Sequence, residues 1–576
     1  MNNLERFPDW AGFMAEKYRG GTCVEFILYG SVFDLVPIRR EGASTGFTAL
    51  KDFLTLEMFP QRDAIIYYDM SAGITFPHAK MLEDFQTFAA AVDVVTGTRY
   101  AGSLPKEPSK ALLLIDRYIR GRIGDTETKK KIAVVIDFAQ MVVPAGDINF
   151  LSPDESSALI TLVKWASDPA FMRSDVTVCL IAENLADLNQ MLAQNPYVTK
   201  VQVSLPEEKE RLEFVRRIIE NTQFAALSDV TPEALAVNTA GLSRVNTQTM
   251  VNVALKNEKR ITMDYIADKK KELIEKECFG LLEFMKPTLT LDMVCGHEAA
   301  KKWLRDDARL LKEGKLDALP MGYLICGPIG TGKTFLIKCY AGTIGIPCVV
   351  LMNFRSKWQG VTEGNWEKIL TVLRATGPVG VIIDEADAAL GDRDTEGDSG
   401  TQSRVFAQLA GQMSDTRYRG RILWFLLTCR PDLLPVDLKR QGRAEVHVPL
   451  FHPDDAGEKR ALVKAMAKKV GASINQREIS KLPLDAKLSG ADIEGILVRA
   501  RRRSLLAGAK TVENEHIEAE MADFQPPNYK DAIELQELVA VAECTSKDFL
   551  PERYRTMEPG VVLPRIRQLK AMLGEA

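Results

Sequence analysis

The chain has 576 residues, 46% of them hydrophobic and 26% charged, with a formal net charge of -4. That balance belongs to globular protein folded as several domains, and it excludes the strongly basic surface that a nucleic-acid binder carries. No run reaches the length of a membrane span, no basic-then-apolar leader opens the chain, and the nine cysteines form no CxxC pair, so we expect a cytoplasmic protein with no membrane partner and with buried, reduced thiols.

Residues 1–60 read as the opening α/β segment of a first module, and 61–270 as its main body with a helical lid. The apolar run "AIIYY" leads into "DMSAGITF" (69–76). A second apolar strand, "KIAVVIDF", ends in Asp137 and Phe138, and the helix-opening "LPEEKERLEFVRRII" (205–219) and "TAGLSRVNTQTMVNVAL" (239–255) follow. Residues 271–290 then read as a linker.

The second half carries the strongest local pattern. Gly327-Pro328-Ile329-Gly330-Thr331-Gly332-Lys333-Thr334 satisfies GxxxxGK[ST], follows an apolar strand and opens a helical stretch, which is the context a phosphate-binding loop requires. Its glycines let backbone N–H groups curl around phosphate, and the helix N-terminus adds positive potential. Lys333 is placed to reach the β- and γ-phosphates, and the Thr334 hydroxyl to hold Mg²⁺. About fifty residues on, "VGVIIDEADAAL" ends an apolar strand in Asp384 and Glu385. An aspartate there can hold the Mg²⁺ shell, and the adjacent glutamate can orient and deprotonate water. We therefore expect ATP and Mg²⁺ as the ligands.

These residues resemble the AAA+ ATPases, and within them the AAA family proper that includes katanin, spastin and the proteasomal ATPases. The resemblance runs from about 291 to 523. It implies a nucleotide-binding α/β subdomain over 291–450 and a helical lid over 451–524, with 525–576 a helical C-terminal extension. "RSKWQGVTEGNWEKIL" (355–370) resembles the first pore loop and its helix, which places Trp358 at the aromatic pore position. The Gly-rich 391–402 stretch fits a second pore loop. "LLTCRPDLLPVDLKRQGR" (426–443) resembles the segment from sensor 1 to the arginine fingers, so that Arg440 and Arg443 would project into a neighbouring subunit's site. "LDMVCGHEAAKKWL" (291–304) would bring Val294 and Gly296 near adenine, and "LSGADIEGILVRARRR" (488–503) would bring Gly490 and Ala491 near the nucleotide. The family's sensor 1 is usually asparagine. Here Thr428-Cys429-Arg430 stands in its place, and a thiol donates poorly. Either Thr428 does the work or hydrolysis is slow.

The first half echoes the second. Pro206 and Pro453 each lie 69 residues beyond Asp137 and Asp384 (206 − 137 and 453 − 384), and ordered echoes at matched spacing mark a duplicated unit. The fold class expected is thus α/β, a P-loop AAA+ core with a helical lid preceded by a degenerate AAA+-like module. An AAA family of algal chloroplasts and cyanobacteria has this arrangement, with "GLLEF" (280–284) just before the core. Laid over the P-loop, Gly73-Ile74-Thr75-Phe76 matches Gly332-Lys333-Thr334-Phe335, with Ile74 in place of the lysine. With Phe138 in place of the catalytic glutamate and Asp69 repelling phosphate, this module is expected neither to hydrolyse nor to hold ATP.

Three functions compete. In the first, a hexameric homo-oligomer remodels or translocates an unidentified protein substrate, gripped by Trp358 through non-directional apolar contact. In the second, slow hydrolysis at Cys429 makes the chain a nucleotide-gated scaffold or assembly factor. The third, a nucleic-acid-associated ATPase, is disfavoured by the charge balance. No HExxH stretch appears, so the sequence offers no fused zinc protease.

Overall fold

The structure is a computed structural model. It describes residues 7–39, 44–124, 129–220, 222–278, 280–285, 289–352, 363–390, 401–453, 455–470, 489–509, 511–524, 529–557 and 559–575. Cα proximity divides the chain into two compact units, residues 1–278 with 361–376, and residues 279–360 with 377–576.

In the first unit the strands are β1 (Glu25–Gly30), the short antiparallel ribbon β2 (Val36–Ile38) and β3 (Gly46–Thr48), then β4 (Ala64–Asp69), β5 (Gly73–Thr75), β6 (Ile132–Ile136), β7 (Val176–Ala182) and β8 (Val198–Val203). Its main sheet runs β5-β4-β6-β7-β1-β8. In the second unit they are β9 (Leu282–Met285), β10 (Gly322–Cys326), β11 (Cys348–Leu351), β12 (Val379–Ile383), β13 (Ile422–Thr428) and β14 (Val446–Pro449), in the order β14-β10-β13-β12-β11-β9. Both sheets are parallel except at one edge, where β5 and β9 pair antiparallel with β4 and β11. Interior strands of such a sheet are covered on both faces, so they read as near-continuous apolar runs. Every residue of β7 and β13 is accordingly buried.

The two sheets match strand for strand. β10 pairs with β13 from Gly322↔Trp424 to Cys326↔Thr428, and β1 pairs with β7 from Glu25↔Val178 to Tyr29↔Ala182. Tyr29 therefore stands where Cys326 does, and Gly30 where Gly327 does. Both glycines have positive φ, +100° and +134°. A Cβ on Gly30 would meet the Val203 carbonyl at 2.6 Å, and one on Gly327 the Leu450 carbonyl at 2.0 Å, each at the end of the same outer strand.

This register corrects the reading of "DMSAGITF". Asp69 to Thr75 is the hairpin from β4 into β5, near the sheet edge. Asp69 closes it by accepting the N–H groups of Ser71 at 2.8 Å and Ala72 at 2.7 Å, a side-chain turn of the usual aspartate kind. Ile74 is buried in the core as part of β5, and the next helix starts only at Ala79, not at the loop itself as it does at Lys333. The true counterpart of the P-loop is Gly30-Ser31-Val32-Phe33-Asp34-Leu35, which leads into the β2–β3 ribbon instead of a helix. Because β1 lies inside the sheet, residues 1–60 and those after 61 build one sheet. The stretch expected as a linker likewise supplies β9 to the second sheet.

Each unit has its helices beyond the last strand. In the second, Ala456–Lys469, Gly490–Leu506 and Asn514–Asp523 pack around Val463, Ile496, Leu497 and Ile517. In the first, Glu208–Ile219, Pro232–Asn238, Arg244–Lys256 and Met263–Glu277 pack around Val215, Leu235, Val251 and Ile266. Ser489 and Ser243 cap the corresponding helices, a local start signal carried by the side-chain oxygen. The helices Lys530–Glu543 and Pro559–Met572 close over Phe451 through Leu535, Leu538, Ile566 and Leu569.

Candidate active site

The loop after β10 turns through Gly327, Gly330 and Gly332, whose φ values of +134°, +83° and +87° lie in the region only glycine enters freely. The helix Lys333–Ile344 starts immediately behind it, so its free N–H groups face the loop. Lys333 is 8% exposed. Its ammonium donates to the carbonyls of Gly327 and Pro328, both at 2.8 Å, and to the Cys429 sulfur at 3.1 Å. Thr334 Oγ1 donates to Asp384 Oδ2 at 2.8 Å. Two hard oxygen donors thus stand together beside the loop, a set that fits Mg²⁺.

At the end of β12 the backbone reverses through Glu385 at φ +50°. Asp384 Oδ1 accepts the Glu385 N–H at 3.0 Å, and the Glu385 side chain is left exposed. Thr428 is committed elsewhere: its hydroxyl donates to Asp387 at 2.7 Å and accepts the Arg430 N–H at 2.8 Å. Cys429, and not Thr428, is therefore the side chain of this segment that stands beside Lys333.

A cavity of about 270 Å³ lies between loop and lid, and Val294, Gly296, Gly330, Thr331, Gly332, Gly490 and Ala491 all line it. Phe335, Phe451 and Leu462 supply apolar wall, the usual composition of a pocket for a flat ring. His297 lines it too, with φ +55°. Loss of water around its ring pulls its pKa down to about 4, against an opposing hydrogen bond with the Thr331 backbone. It is neutral at physiological pH. The sequence singled out neither His297 nor these walls, since an isolated histidine and scattered apolar residues carry no local signature.

Arg440 and Arg443 part company. Arg440 is exposed and paired with Asp437 at 3.2 Å. Arg443, expected to project outward, is 7% exposed and donates to the Asp437 carbonyl at 2.8 Å. Trp358 and the 391–400 part of the second pore-loop stretch lie outside the described residues.

The first module keeps the same backbone with other side chains. Phe138 sits at φ +50°, and Asp137 Oδ1 accepts its N–H at 3.0 Å, as Asp384 does for Glu385. Phe33, from the loop after β1, packs on Phe138 with ring centroids 5.3 Å apart. Asp34 of that loop accepts the N–H groups of Arg244 and Val245, each at 3.0 Å, at the start of the lid helix. The Arg244 guanidinium lies 3.6 Å from Asp34, 3.0 Å from Glu210, and donates to the Leu35 carbonyl.

Comparison with known proteins agrees with this division. Residues 323–451 match the model of the ATPase family associated with various cellular activities (AAA). Residues 2–204 match an AAA+ chaperone N-terminal Rossmann-like domain, and 209–279 an AAA+ chaperone second helical domain. Similar curated proteins include the ATP-dependent zinc metalloproteases FtsH of Caldicellulosiruptor bescii, 28% identical over 42% of this chain and 40% of the relative, and of Syntrophobacter fumaroxidans, 30% identical over 41% and 37%. FtsH 3 of Synechocystis is 30% identical over 44% of this chain and 43% of its own. The chain spans about two fifths of the length of these relatives. Among the described residues no helix is long and apolar enough to cross a membrane.

Proposed function

From an AAA+ ATPase with an ATPase-like module ahead of its P-loop core, we propose a machine that binds ATP in the second module and uses its hydrolysis to remodel a protein substrate through a ring of six copies in the cytoplasm. The observation that carries the nucleotide chemistry is the Thr334–Asp384 hydrogen bond at the mouth of the loop that holds Lys333. Lys333 would exchange its two carbonyl partners for phosphate oxygens, a trade of neutral acceptors for charged ones that favours the bound state. Thr334 and Asp384 would hold Mg²⁺, which neutralises charge on the β- and γ-phosphates. Glu385, exposed at the end of β12, is free to take a proton from water. Val294, Gly296, Gly490 and Ala491 would enclose the base, with neutral His297 against the loop. Arg440 is the better candidate for a finger reaching a second copy, since Arg443 is spent on holding Asp437. Trp358 would grip substrate at the pore, and the first module would serve as a nucleotide-free tier.

Steady-state ATPase assays test this. Glu385→Gln should keep nucleotide and lose at least a hundredfold in turnover, and equal rates in variant and wild type would sink the assignment. A second reading, the slow nucleotide-gated scaffold, rests on Cys429 beside Lys333. Cys429→Asn should raise turnover several-fold if the thiol is what limits it; an unchanged or lower rate counts against that reading.

A further inference from the structure

The C-terminal helix Lys530–Glu543 reaches the phosphate loop. The Ile329 N–H donates to Gln536 Oε1 at 3.0 Å, across 207 positions of sequence. Ile329 is 64% exposed. An N–H in that setting needs no protein partner, because water would satisfy it at little cost. A side chain held there does something other than satisfy the donor: it fixes the direction of one peptide in the loop.

The helix is anchored well enough to do so. Leu535, Leu538 and Val539 on either side of Gln536 are buried against Phe451, Ile566 and Leu569. At its end Glu543 pairs with Lys439 and gives its carbonyl to His447 Nδ1 at 2.7 Å, while Thr545 accepts the His447 N–H at 2.9 Å. Lys439 precedes Arg440, and His447 lies in β14 beside β10, the strand that feeds the loop. Gln536 is therefore carried on an element tied to the scaffold of the loop itself.

We infer that Gln536 is a positioning residue of the ATPase site, setting the P-loop for phosphate through the Ile329 peptide. This rests on the reading of 327–334 as the phosphate site. The residue type suits the task. A carboxamide oxygen accepts as a carboxylate does but brings no negative charge toward the phosphates.

The test is calorimetric titration of the full chain with Mg·ADP at 0.1 M and 0.5 M salt, with Tm measured in parallel. Gln536→Met keeps the length and removes the acceptor; it should weaken ADP three- to tenfold at both salt concentrations with Tm unchanged. Gln536→Glu keeps the acceptor and adds a charge; it should weaken ADP at least as much at 0.1 M and recover most of the loss at 0.5 M, where the charge is screened. Wild-type affinity in both variants overturns the inference, as does weakening that follows a fall in Tm and is indifferent to salt. If the wild-type chain binds no ADP, the nucleotide-site reading itself fails, and this inference with it.

Discussion

In the second module the lid helix meets the loop through the Gly490 N–H, 3.4 Å from the Gly330 carbonyl. In the first, Asp34 takes two N–H groups of the equivalent helix and faces Arg244, and both residues are 6% exposed. A phosphate loop facing a helix N-terminus is a set of donors arranged for an anion. The first module supplies that anion from its own chain. Its loop has neither the lysine nor the helix behind it, a carboxylate caps the lid helix, and two phenylalanines in tilted contact stand at the positions of Gly330 and Glu385. On the proposed reading of the first module as nucleotide-free, its site is filled as well as stripped of the lysine charge.

Nucleotide stoichiometry offers the largest effect with which to break this comparison. Lys333→Ala should abolish ADP binding by the whole chain, because the Gly30–Leu35 loop of the first module has no lysine and its lid is already capped. A remaining site near one per chain would show that the first module still binds nucleotide, and the contrast would collapse.

Cutting the internal cap is the next test. Arg244→Met strands Asp34 and Glu210 near a buried junction, and breaking a buried pair from one side costs about 3 kcal/mol or more. The unfolding transition of the first module should fall accordingly, with ATPase activity of the surviving fold near wild type. The matching change in the second module, Gly490→Ala, meets only ordinary van der Waals neighbours and should leave stability within about 0.5 kcal/mol. If Arg244→Met is equally harmless, the Arg244 guanidinium is not what holds the first lid.

How far the sequence disclosed all this follows from what is local. The P-loop, the acidic strand end and the capped lid helix are short contiguous patterns, and the structure brings Lys333, Thr334 and Asp384 together. The repeat was legible at Asp137 for the same reason, since an apolar strand ending in aspartate survives the loss of function. The matching loop of the first module was not. Without lysine, without the later glycines and without a helix, Gly30–Leu35 has no signature of its own, and "AIIYYDMSAGITF" offered a strand, a glycine and a threonine that any hairpin can supply. Only the pairing of β1 between β7 and β8 separates the two, and sheet order is set by contacts far apart in sequence. The burial of Arg443 and the tie from Gln536 to Ile329 are hidden for the same reason.

The smallest expected effect sharpens the comparison from inside the sheets. Position 25 of β1 pairs with Val178 and is a glutamate, whereas Gly322 of β10 pairs with Trp424 at the matched register. Glu25 is fully buried, and both its carboxyl oxygens lack a hydrogen-bond partner among the described residues. Loss of solvent alone raises its pKa well above the usual carboxylate value, so the folded module holds this proton more tightly than the unfolded chain does. The folded state then binds the extra proton, and linkage fixes the sign: its contribution is greatest below the unfolded pKa and is lost as pH rises toward the folded one. Glu25→Gln removes the titration and keeps the size. It should stabilise the first module more at pH 7 than at pH 4, as read by urea unfolding at the two pH values. Equal stability of variant and wild type at both would mean that Glu25 finds a partner for its charge, and the apolar interior assigned to β1 would need a polar neighbour.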